Sequence, residues 1–165
     1  MSICIINVGN TGTGKTTETK DLLNAFKITE KSFFIYDVNK EFLEFYEGKF
    51  LKFKEFLKEA NTKTNTVIVF EEATIFFQHN KTSEDIYELL VRKRHTNNTL
   101  IFNFHALHQV PIFILDFANY MILRQTNDVP SLIQKKFETY KNIYESFEFV
   151  QESENFFEKQ YIKLN

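Results

Sequence analysis

Apolar and polar positions along this chain fall into blocks whose periods switch between strand and helix. Residues 3–8 form an apolar run of strand length rich in β-branched side chains, and residues 16–26 predict a helix with Leu22, Leu23 and Phe26 on one side. A second strand is expected over 32–37, followed by a short helix or turn at 41–47, a brief strand at 50–53 and a short helix at 54–60. After a polar turn at 62–66, Val67-Ile-Val-Phe70 runs without a polar interruption into Glu71-Glu72. Residues 73–80 read as a loop or short helix. Thr82-Ser-Glu-Asp85 then has the spacing of a capping box, opening a helix that buries Ile86, Leu89 and Leu90. Another buried strand, 99–104, delivers His105 at its end; Gln109-Val-Pro111 opens a short segment at 112–117, and 120–124 is a further strand. Asp128 is expected to cap one long helix, with Pro130 in its first turn and Val129, Ile133, Phe137, Tyr140, Tyr144 and Phe147 along one face.

Strands alternating with helices predict an α/β fold. Strands that are apolar throughout require cover on both faces, so the expectation is a three-layer fold with a mostly parallel central sheet flanked by helices. At 165 residues the chain suits one domain. Residues 1–150 are assigned to it, and residues 151–165, with alternating aromatics and lysines, to an edge strand or a mobile arm of the same domain. No repeat or linker divides the chain.

Composition narrows the picture in three ways. Twenty phenylalanines and no tryptophan make Phe the main supplier of apolar core area. A net charge of −2 gives no overall attraction to nucleic acid, so any DNA contact must come from a local cluster or from a surface built by several subunits. The single cysteine, Cys4, forbids an internal disulfide and fits a reducing compartment. With no signal-peptide pattern or membrane-length apolar run, the expected location is cytoplasmic.

The chemistry centres on Gly9-Asn10-Thr11-Gly12-Thr13-Gly14-Lys15-Thr16-Thr17, which matches the phosphate-binding pattern G-x-x-x-x-G-K-[ST] and holds three of the chain's four glycines. It lies between a predicted strand and a predicted helix, the context the motif needs, so the three-layer α/β fold is expected to be a P-loop NTPase fold. The glycines let the backbone N–H groups turn inward, and the helix N-terminus adds partial positive charge to the same spot. Lys15 is then the candidate for the β- and γ-phosphates, and the Thr16 hydroxyl for Mg²⁺.

Other candidates lie at strand exits. Glu71 is assigned to the metal side and Glu72 to the base that polarises an attacking water. His105 is either a γ-phosphate sensor or a satisfied core side chain. Glu71, Glu72 and His105 all stand at the ends of strands expected to neighbour the first. Arg92 and Arg94 are two of only three arginines in a lysine-rich chain, the third being Arg124. They suit either bidentate phosphate recognition or the charged last turn of a helix. His79, His95 and His108 lack metal-site spacing, so no zinc site is assigned.

Taken in order, the loop, Asp37-Val-Asn-Lys-Glu41, Glu71-Glu72-Ala73, Arg92-Lys-Arg94-His95 and the stretch from His105 to Pro111 resemble the FtsK/HerA superfamily of DNA-pumping ATPases over roughly residues 3 to 130. The loop and the acidic pair are the specific motifs; Glu71 stands where the family usually has aspartate. By its small size the chain is similar to the compact ATPases that package DNA into viruses. The resemblance implies ATP and Mg²⁺ as ligands and ATP hydrolysis to ADP and phosphate. It also implies a homo-oligomeric ring, with a hexamer favoured, in which Arg92 or Arg94 acts across a subunit boundary. DNA is the implied partner, capsid or membrane-vertex proteins are possible further ones, and the location is the host cytoplasm or the virion. Gln78-His-Asn-Lys81 is either a pore-facing DNA loop or an ordinary solvated one. A small GTPase is disfavoured because neither Asn39-Lys40 nor Asn80-Lys81 continues as the guanine-reading N-K-x-D. A small nucleotide or nucleoside kinase, with Arg92-Lys-Arg94 as its lid, and an ATP-dependent assembly switch without DNA translocation stand as alternatives.

Overall fold

A computed structural model describes residues 2–46, 52–77 and 80–165, apart from the side chains of 80–83. Five parallel strands, β1 (Cys4–Val8), β2 (Ser32–Tyr36), β3 (Thr66–Phe70), β4 (Thr99–Phe104) and β5 (Tyr120–Arg124), are joined by a sixth, β6 (Lys159–Lys163), antiparallel to β5. Their order across the sheet is β2-β3-β4-β1-β5-β6. The helices are α1 (Lys15–Lys27), α2 (Phe53–Ala60), α3 (Ala73–Phe77), α4 (Asn80–Arg92), α5 (Ile112–Leu115), α6 (Pro130–Lys136) and α7 (Lys141–Glu152).

The two-residue period of the strands splits the core into two halves. Cys4, Ile6, Val8, Ile68, Phe70, Leu100, Phe102, Met121 and Leu123 point to one face, where the buried sides of α2 to α7 cover them. Ile5, Ile35, Val67, Val69, Ile101 and Ile122 point to the other, against Leu23 of α1 and against Phe42 and Phe45 from the segment after β2. Phenylalanines dominate the first half: Phe70 stacks on Phe102 at 4.6 Å and meets Phe76 edge-on at 4.9 Å.

On the α1 face the alternation turns polar at or just past the carboxyl end of every parallel strand. Read across the sheet, Asp37, Glu71, Asn103 and Asn7 follow one register, Arg124 lies two residues beyond the partner of Asn7 on β5, and none of the five is more than 6 % exposed. This buried polar row lies directly beneath α1 and the loop that precedes it.

Several expectations shift. The acidic pair does not follow a neighbour of β1: β4 is inserted between β3 and β1, because the β3–α4–β4 crossover returns inside the sheet rather than at its edge. Phe53 opens α2 rather than closing a brief strand, and residues 50 and 51 lie outside the described residues. Helix α4 starts at Asn80, so Thr82 stands inside it and not at its cap. The single long helix after Asp128 is two helices with a turn at 137–140. Spacings of three and four pass unchanged through that corner, which is why periodicity does not see it. Nor does Asp128 cap α6, whose N-cap is Val129; its carboxylate accepts instead from the backbone N–H groups of Leu107 (2.6 Å) and His108 (3.1 Å). The end of the chain is an edge strand, β6.

Candidate active site

The loop between β1 and α1 is tied to both neighbouring strands: Gly9 N–H donates to Phe104 O at 3.1 Å, and Asn10 N–H donates to Gln125 O at 2.9 Å. Gly12 (φ 84°) and Gly14 (φ 94°) are left-handed, the region where side chains are strained, and Gly14 is the N-cap of α1. Gly9 is needed for a different reason: a Cβ there would stand 2.6 Å from Thr13 Oγ1 and 2.9 Å from Arg124 Cβ.

These turns frame a cleft of about 420 Å³ lined by Thr11, Gly12, Gly14, Lys15, Thr16, Thr17, Asn39, Glu41, Glu71, Glu72 and His105. Lys15 Nζ lies 2.6 Å from Gly9 O and 3.0 Å from Asn10 O, which holds the ammonium across the mouth of the loop. Burial lowers its pKa, and the carboxylates of Glu71 and Glu72 oppose that shift. Thr16 Oγ1 and Glu41 Oε2 are 3.5 Å apart. Glu71 accepts from Asn103 Nδ2 at 2.6 Å, yet burial pushes its carboxyl up to about 7, with Glu41 and Glu72 adding repulsion. A buried carboxyl of that kind favours a nearby cation.

Glu72 and His105 form the far wall. His105 Nε2 is 3.0 Å from both Glu72 oxygens, and its Nδ1 is 3.4 Å from Lys15 Nζ. An ammonium only donates, so Nδ1 is the acceptor; Nε2 then carries the proton and donates to Glu72. The histidine therefore bridges the loop lysine to the half-buried carboxylate of Glu72.

Behind the loop, the buried row supplies residues that motif reading missed. Arg124 donates to Asn7 Oδ1 and to Glu18 Oε2, each at 2.8 Å; Asn7 Nδ2 donates to Lys15 O at 3.2 Å; and Thr19 Oγ1 donates to Asn103 Oδ1 at 3.2 Å. Glu18, on α1, also receives Lys159 Nζ (2.5 Å) and Tyr161 OH (3.0 Å) from β6. Burial would raise the Glu18 pKa, but the bonds from Lys159 and Tyr161 and the charge of Arg124 hold it below the ordinary range. A signal was available: Asn7, Asn103 and Arg124 are each the lone polar residue near the end of an apolar strand.

Arg92 and Arg94 are not brought to this cleft. Arg92 is exposed on the last turn of α4, paired with Glu88 at 3.1 Å. Arg94 follows it, exposed, near the amino ends of β4 and β5, where the intervening Lys93 reaches Phe117 O at 2.7 Å and Asn119 Oδ1 at 3.2 Å. Gln78 and His79 lie outside the described residues, and Asn80 and Lys81 open α4.

Fold and cleft together define a P-loop NTPase domain. Residues 5–150 match the ATPase family associated with various cellular activities (AAA), and the chain belongs to that family. Among solved structures, it is similar to B204, the DNA-packaging ATPase from Sulfolobus Turreted Icosahedral Virus, with a TM-score of 0.81 and 17 % identity, covering 99 % of this chain and 94 % of that one. It is also similar to the genome packaging NTPase B204 from Sulfolobus turreted icosahedral virus 2 in complex with ATP-gammaS, with a TM-score of 0.79 and 20 % identity, over 99 % and 93 % of the two chains. At these identities the likeness is one of fold. No curated protein matches the chain in sequence. Among the described residues, no helix is long and apolar enough to cross a membrane.

Proposed function

We propose that this chain is the subunit of an Mg²⁺-dependent ATPase that works as a ring and drives DNA into a viral capsid. The observation that carries the hydrolytic part is the Lys15–His105–Glu72 bridge, which fixes a carboxylate beyond the lysine, where the terminal phosphate of a nucleotide in the loop would lie. The left-handed glycines form the cradle a polyphosphate needs, and Thr16 and Glu71 would hold Mg²⁺. When bound, the metal neutralises charge on the phosphate oxygens. Glu72 accepts a proton as water attacks the γ-phosphorus and the bond to the β,γ-bridging oxygen breaks, leaving ADP. His105 orients Glu72, and Lys15 follows the charge that develops on the β- and γ-oxygens.

The motor part is supported by the fold shared with two genome-packaging proteins. Exposed Arg92 and Arg94 are available to a neighbouring subunit, and an arginine supplied in trans accelerates such reactions by about 10³- to 10⁵-fold. A ring also multiplies whatever small positive charge each subunit offers to DNA.

Phosphate release from ATP, measured at two protein concentrations with and without double-stranded DNA, tests the reading. Turnover per subunit should rise with protein concentration and with DNA. Equal turnover at both concentrations without a DNA response would refute the motor, and phosphate transfer to a nucleoside in place of release would refute hydrolysis.

A further inference from the structure

Among the described phenylalanines, Phe149 on α7 and Phe156 and Phe157 in the turn between α7 and β6 are exposed, the last two at 46 % and 66 %. This last pair stands beside the phosphate loop: a ring carbon of Phe156 is 3.8 Å from where a Cβ on Gly12 would lie, and one of Phe157 is 4.0 Å from the same point on Gly14. The rings meet edge-on, 5.7 Å apart at 76°, so one buttresses the other. Their turn is anchored to the rest of the domain. Gln125 Nε2 donates to Ser153 O at 2.7 Å, Asn155 Oδ1 accepts from Phe157 N–H at 3.0 Å, and Lys159, just beyond, is bonded to Glu18.

The polarity of the cleft gives these rings a direction. Glu71, Glu72 and His105 sit at the ends of β3 and β4, on one side of the loop, and mark the end where a terminal phosphate reacts. The remainder of a nucleotide must leave the loop elsewhere, and on the opposite side, past β1, stand β5, β6 and the two exposed rings. We propose that Phe156 and Phe157 form the platform on which the base of the bound nucleotide stacks. This rests on the nucleotide reading above and adds to it a subsite for the base. Stacking uses the π-face common to all bases, so the platform supplies affinity rather than base identity.

The test compares ATP with inorganic tripolyphosphate, which fills the loop but has no base. Binding of each is measured by calorimetry to the full chain, to Phe156→Ala/Phe157→Ala and to Phe156→Tyr/Phe157→Tyr. The expected result is a loss of about 5- to 150-fold in ATP affinity for the alanine pair, near-wild-type ATP affinity for the tyrosine pair, and unchanged tripolyphosphate affinity throughout. Unchanged ATP affinity in the alanine pair overturns the platform while leaving the nucleotide reading standing. Equal losses for ATP and tripolyphosphate also overturn it, since the rings would then be propping up the loop. Wild-type protein that binds neither ligand overturns both readings together.

Discussion

The pair of Glu18 and Arg124 behind the loop makes an asymmetric prediction. Arg124 is 2 % exposed in its side chain and donates to one charged group, Glu18, and one neutral group, Asn7. Its Nε is buried without a partner among the described residues. Glu18 has two further donors, Lys159 and Tyr161. Changing Glu18→Gln therefore strands a buried guanidinium, a loss of about 3–5 kcal/mol when one partner of a buried pair is removed. Arg124→Met leaves the carboxylate with its lysine and tyrosine and keeps most of the packed stem against Gly9, so about 1–3 kcal/mol is expected. The double variant should cost little more than Arg124→Met alone, because the stranded charge is gone. Urea unfolding at pH 7 reads all three, provided the slopes agree so that midpoints report stability. Against a typical domain stability of about 5–15 kcal/mol, the Glu18 variant loses a large fraction. Two results refute the reasoning: an Arg124→Met loss equal to or larger than that of Glu18→Gln, or losses that simply add.

Three further outcomes follow from geometry already described. Glu72→Gln should bind ATP normally and lose about 10²- to 10⁴-fold in turnover, read by binding and phosphate release on the same sample. Gly9→Ala should weaken both stability and nucleotide binding, by about 1–3 kcal/mol in unfolding, because its Cβ meets Thr13 Oγ1 at 2.6 Å and Arg124 Cβ at 2.9 Å. Acid should destabilise the fold. Burial alone would raise the Asp128 pKa, but bonds from Thr126, His108 and two backbone N–H groups hold it below the ordinary range. A depressed folded-state pKa contributes stability that is complete above the unfolded value of about 3.9 and disappears as pH falls through the lower folded value. Unfolding midpoints of wild type should therefore drop below about pH 4, and Asp128→Asn should flatten that limb.

Much of the site is readable from the chain because its chemistry is local. Gly9 to Thr17 and Glu71-Glu72 are continuous segments whose neighbours announce a strand or a helix, so motif and context agree without tertiary knowledge. What the chain does not display is lateral order. That β4 lies between β1 and β3, and that Glu18, Asn7 and Arg124 converge, depends on pairings between residues up to 117 apart in sequence. Phe156 and Phe157 are hidden for a similar reason: in a chain with 20 phenylalanines, two more read as core until their exposure is known. The corner between α6 and α7 is invisible to spacing because Phe137, Tyr140 and Tyr144 keep three- and four-residue steps through it.

The buried polar row also guards against folding errors. Strand side chains alternate with a period of two, so a slip of one residue in any of β1 to β5 swings its Asn, Asp, Glu or Arg to the opposite face. That face is packed with Phe70, Phe76, Phe102 and Phe104, where a polar group would find no partner. Five strands carry such a residue at or just past their ends, so five separate misregistrations are penalised, close to where the loop and α1 rest. A chain that reaches its lowest free energy has thereby aligned the floor of its own cleft.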